Sequence, residues 1–163
     1  MTQFETSSNF EMNADLDRPE ETEARYQALL LAFQSPDADR TQHIELLTQL
    51  ARVQGLQSKF TEATQSIGEA ARLLADTSAP FKIAAKIRYL LEAGRLHVLE
   101  KTPSQARPMF FEAWTLASGS GEDYHAIDAA QMLAAMDPQK LQKEWTLKAF
   151  ALAENSPQAR AKQ

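Results

Sequence analysis

Cysteine is missing from the 163 residues. That excludes disulfides, thiolate metal sites and a cysteine nucleophile outright. Glycine occurs only five times and valine is scarce, a poor composition for a β-sheet. The longest apolar run, Ala28–Phe33, falls far short of the roughly 20 residues that a membrane-spanning helix needs. The N-terminal stretch MTQFETSSNFEMNADLDRPEE has neither the basic nor the apolar region of a secretory leader. These absences predict a cytoplasmic protein that does not engage a membrane. Positive charge is also in short supply. The net charge is −5, which argues against a nucleic-acid binder, whose footprint is a basic face. Residues 81–101 dissent, since Lys82, Lys86, Arg88, Arg95 and Lys101 outnumber Glu92 and Glu100. That segment is either a solvated helix face or a site for an acidic ligand.

What the chain does have is helix-forming residues. Ala, Leu, Gln and Glu are abundant, and 44% of residues are hydrophobic, ordinary for a globular protein. Residues 1–19 are acidic and show no apolar period, so they read as a flexible tail. From there to residue 157 the pattern is helical. Helix 1 is expected over 20–34, with Tyr26, Leu29, Leu30 and Phe33 at helical spacing and Ser35-Pro36 as its stop. Helix 2 spans 38–55, capped by Asp37 or Asp39 and ended by Gly55. Helix 3 spans 59–75 with Ser58 as cap, and helix 4 spans 80–100. Thr102-Pro103-Ser104-Gln105 reads as a cap, a first-turn proline and a capping-box Gln. It opens helix 5, 103–118, in which Pro108 should kink the helix or delay its start. Ser118-Gly119-Ser120-Gly121 reads as a loop before helix 6, 122–136. Asp137-Pro138 caps and starts helix 7, 138–155, and residues 158–163 read as a flexible end. Short connections make antiparallel neighbours.

A short string recurs in the odd-numbered helices, with Ala28, Ala70, Ala113 and Ala149 at the same place in each copy. The last two spacings are 43 and 36. The intervening helices carry Ala51, Gly94 and Ala130, again 43 and 36 apart. Small residues let helix axes approach to about 8 Å, and a bulky neighbour fills the adjoining gap. Ile67 and Phe110, four residues after Ala63 and Ala106, suit that second role. One helix pair then leaves an apolar face for the next to cover.

These residues carry a resemblance to the tetratricopeptide repeat (TPR) family. Leu50-Ala51, Ala63, Ile67 and Ala70 match its pattern in one repeat, and Ala93-Gly94, Ala106, Phe110 and Ala113 in the next. Ala129-Ala130 and Ala149 match in part in a third, where Gln142 and Thr146 depart from the pattern. The resemblance implies an all-α, antiparallel helix-pair superhelix of about seven helices over residues 20–157. It also implies a concave groove lined by Glu45, Thr48, Arg52, Arg88, Leu91, Arg95, Tyr124, Ile127 and Gln131. The implied function is a scaffold or adaptor that binds a protein or peptide there, with no catalysis. Arg52, Arg88 and Arg95 would take an acidic peptide, because the guanidinium fork pairs with carboxylates.

Nothing in the sequence points to an enzyme, a metal or a cofactor. His43, His97 and His125 do not have the spacing of a metal site. Phosphate-binding and nucleophile-elbow motifs are missing. Acidic pairs such as Glu20-Glu21 and Glu122-Asp123 sit at helix starts, where they complement the dipole. Trp114 and Trp145 read as inter-repeat packing. In helix 7, however, Leu141, Trp145, Leu147, Phe150 and Leu152 spread round much of the circumference. The alternative reading is therefore self-assembly into a homo-oligomer through an uncovered terminal helix.

Overall fold

In the computed structural model, which describes residues 14–162, the regular structure is all helical, as expected. The elements are α1 (Pro19–Leu30), continued by a 3-10 turn (Leu31–Gln34), then α2 (Arg40–Leu56) and α3 (Phe60–Ala75). They are followed by α4 (Ile83–Leu99), α5 (Pro103–Ser120), α6 (Asp123–Met136), α7 (Gln139–Asn155) and a terminal 3-10 turn (Ala159–Lys162). Among the described residues no helix is long and apolar enough to cross a membrane.

The chain forms two compact units that divide inside α4, between Glu92 and Ala93, where the sequence suggested one repeat domain. In the first unit α2 packs along α3 and against α1. One core cluster joins Ile44 and Leu47 of α2 to Ala70 and Leu73 of α3 and Ala85 of α4. A second joins Tyr26 of α1 to Leu46, Leu50 and Val53. Glu23 of α1 is buried and receives hydrogen bonds from Lys59, Gln57 and Gln54. Burial alone would raise its pKa, but these donors bring it below the ordinary value.

In the second unit α6 packs along both α5 and α7. The stripe Ala106, Phe110, Ala113 and Ala117 of α5 is fully buried. A β-carbon on Gly94 would lie 2.7 Å from the Phe110 ring. The pairing of a small residue with a bulky one, expected from the repeat, is therefore a direct contact here. Trp114 and Trp145 meet edge to face at 5.4 Å, and Trp145 Nε1 donates to Asp137 at 2.9 Å.

Several local expectations change. Asp39, rather than Asp37, caps α2, accepting from the Gln42 backbone N–H at 2.8 Å. Gly55 does not end α2, and Ser58 does not cap α3. Ser58 takes the left-handed position (φ 60°) after α2, while Lys59 N–H reaches back to the Gln54 carbonyl at 3.0 Å. Lys101 repeats this after α4, with φ 61° and a Thr102 N–H to His97 carbonyl bond of 2.8 Å. These are six-to-one closures of a helix C-terminus. The two left-handed residues stand 43 apart, which is the repeat offset.

Thr102 forms no capping box. Its hydroxyl donates to the His97 carbonyl instead. Pro108 lies inside α5 and does not delay its start. The expected loop at Ser118–Ser120 is helical up to Gly121, at φ 75°. Ser118 and Ser120 stay in the helix by turning their hydroxyls onto the carbonyls of Trp114 and Leu116. Asp137 does not cap α7, because Arg107 and Trp145 occupy its carboxylate. At the chain's end Ala161 is buried in the terminal turn, which packs on α6 and α7. Of the sequence-predicted tail, residues 1–13 lie outside the described residues.

Candidate functional site

The nine residues implied as a groove divide between the two units. Glu45, Thr48 and Arg52 are on α2, with Arg88 and Leu91 on the part of α4 in the same unit. Arg95, Tyr124, Ile127 and Gln131 belong to the other unit.

In the first unit Glu45, Thr48, Arg88 and Leu91 are all buried, none more than 3% exposed. Arg88 Nε stands 3.6 Å from Glu45 Oε1. Two turns further along α2 and one along α4, the polarity reverses, with Arg52 Nη1 3.9 Å from the buried Glu92. Two oppositely directed ion pairs thus link α2 to α4. The Thr48 hydroxyl turns back onto the Glu45 carbonyl at 2.7 Å. A charge removed from water is costly unless it is paired, and this face of α2 pairs its charges internally.

In the second unit one Arg95 guanidinium nitrogen contacts both carboxylate oxygens of Asp128 on α6. The Tyr124 backbone N–H donates to the Gln158 side chain at 3.0 Å, and its ring meets His125 at 5.3 Å. All three arginines assigned to an acidic ligand therefore already face a carboxylate of the chain itself. Ile127 and Gln131 are different, because both line a groove between α6 and α7.

That groove has a volume of about 520 Å³. Its α6 wall continues with Ala134 and Ala135. The α7 wall is Gln142, Thr146, Ala149, Phe150 and Ala153, and Ala161 and Lys162 of the terminal turn lie at its end. The α7 residues fall on one stripe at helical spacing. Phe150 is 62% exposed.

The repeat explains why this groove is open. Gln142, Thr146, Ala149 and Ala153 stand 36 residues after Ala106, Phe110, Ala113 and Ala117. The α5 stripe is buried and α6 packs along that helix, whereas in its α7 counterpart Gln142 and Thr146 are exposed, Ala153 is half-buried and Ala149 is buried. Thr146 also stands where Phe110 fills space in α5, so less of the groove is occupied by the chain's own side chains.

Sequence reasoning reached Ile127 and Gln131 but missed the α7 wall. The signal was there, since apolar residues surround that helix. Gln142 and Thr146 read only as departures from the repeat.

His43 stacks on Phe33 at 5.2 Å, and burial pushes its pKa below the usual value. His97 Nδ1 lies 3.0 Å from the Thr102 hydroxyl, and His125 is buried. Among the described residues no three His, Cys, Asp or Glu side chains are grouped to hold a metal ion.

Compared with known proteins, the chain matches no protein-family model and no curated protein.

Proposed function

We propose that this chain is a non-catalytic protein-interaction module that holds an α-helix of its partner in the groove between α6 and α7. The observation that carries the reading is the equivalence of two stripes. The stripe on α5 is buried, with Phe110 against Gly94 of α4, and its counterpart on α7 lines an open groove. A surface built like a helix-binding face suits a helix, which would present apolar side chains at helical spacing.

The TPR-like pattern of small residues supports the same class of function, and a cytoplasmic setting belongs to the proposal. The ligand it favours is apolar rather than acidic. Arg52, Arg88 and Arg95 are engaged with Glu92, Glu45 and Asp128, so an outside carboxylate would have to compete with internal ones. The groove walls, by contrast, offer Ile127, Ala134, Ala149, Phe150 and Ala153.

The test uses a fluorescent helical peptide with the α6 sequence, residues 123–136, titrated against the full chain by anisotropy. Wild type should bind it, Phe150→Lys should weaken binding at least about tenfold, and Arg52→Ala should leave it unchanged. Equal binding by wild type and Phe150→Lys would reject the groove.

A further inference from the structure

We infer that the occupant of the α6/α7 groove is α1 of a second copy of this chain, so that copies associate head to tail. The inference rests on the groove reading above and names its partner.

α6, which packs along α5, buries Ala126, Ala130, Leu133 and Ala134. That is Ala at i and i+4, Leu at i+7 and Ala at i+8, one face of a helix. The same residues at the same spacing occur in Ala24, Ala28, Leu31 and Ala32, on α1 and the 3-10 turn that continues it. All four are exposed. They lie opposite Thr22, Glu23 and Tyr26, the buried face of α1. Ala28 is also the one recurring alanine left uncovered, for Ala70, Ala113 and Ala149 are buried.

Charge agrees with this pairing. Apart from the buried Glu23, which is paired with Lys59, α1 carries Glu20 and Glu21 against Arg25. α7 and the terminal turn present Lys140, Lys143, Lys148 and Lys162 against Glu144 and Glu154. Opposite net charges at the two surfaces favour encounter.

The two surfaces are different, so the interface is heterologous, and it propagates into a ring or an open chain unless one surface is blocked. This gives a complementation test by sedimentation of the full chain from about 10 µM to about 1 mM. Wild type should grow in size with concentration. Ala28→Glu blocks one surface and Phe150→Lys the other. Both positions are exposed, so each variant should fold normally but remain monomeric. Mixed together, the two variants should form a dimer that grows no further, because each supplies the surface the other lacks.

A wild type that stays monomeric, a single variant that associates like wild type, or a mixture that remains monomeric would overturn the inference. The α6 peptide separates this failure from failure of the groove itself. If the monomeric chain still binds that peptide through Phe150, the groove takes a helix from another protein. If it does not, both readings fall.

Discussion

Helices α2 and α7 have the same length and opposite surroundings. α2 buries twelve of its seventeen residues, including Glu45, Thr48, Gln49 and Gln54. α7 buries two of seventeen, Trp145 and Ala149, and leaves Leu147 and Phe150 largely exposed. Each helix carries nine polar residues, yet α2 is enclosed and α7 is open. Neither residue type alone says where a helix sits. On α2, charge is accommodated by partners across the helix pair. On α7, Leu147 and Phe150 leave apolar surface exposed, and burying such surface is favourable.

The sharpest way to break this comparison is to remove a partner on the enclosed side. Arg88→Met removes the guanidinium that faces the buried Glu45, so urea denaturation should show a loss of about 3–5 kcal/mol. Adding Glu45→Leu should recover most of it, because no unpaired charge is then buried. A double variant as unstable as the single one would mean that the charge pair is not what the site requires.

Next in size is the tight contact of the second unit. Gly94→Ala pushes a methyl group into the Phe110 ring and should cost about 1–3 kcal/mol. Phe110→Leu in that background should relieve part of the loss. The left-handed residues come next. Ser58→Gly and Lys101→Gly should each stabilise by about 1 kcal/mol, since a left-handed β-carbon is strained.

On the open side, Phe150→Lys should change stability by no more than about 0.5 kcal/mol while abolishing docking. That dissociation of folding from binding is what separates α7 from α2.

The smallest effect is acid sensitivity near the start of α2. Hydrogen bonds from Ser78, then Arg40, hold the Asp76 pKa at about 2, against an ordinary 3.8. A carboxyl with a lowered folded-state pKa stabilises above its unfolded value and loses that contribution as pH falls. Thermal unfolding should therefore show a contribution lost between about pH 4 and pH 2, and Asp76→Asn should remove this component.

Most of the fold was legible because prolines and small residues punctuate the chain. Pro19, Pro103 and Pro138 stand at or next to helix starts, and the expected boundaries fall close to the observed ones. The exceptions are local competitions. Ser118 and Ser120 can cap, turn or bond back onto a helix, and their identity does not choose among these. Two of the four α6 residues lining the groove were legible too, since the resemblance to the repeat family implied Ile127 and Gln131. The internal pairing of Arg88 was not. Its partner Glu45 lies 43 residues away, and a charge reads as solvated until the helix that neutralises it is in place. Gln142 and Thr146 were noticed as misfits, but a misfit in sequence does not reveal that it leaves space.

The groove is tested most directly by nitrogen-15 chemical-shift mapping of the full chain titrated with the α6 helical peptide. Shifts confined to residues 127–135 and 142–153, with Glu45, Arg52 and Arg88 unmoved, are the expected result. Shifts centred on those arginines, or none at saturating peptide, would contradict it.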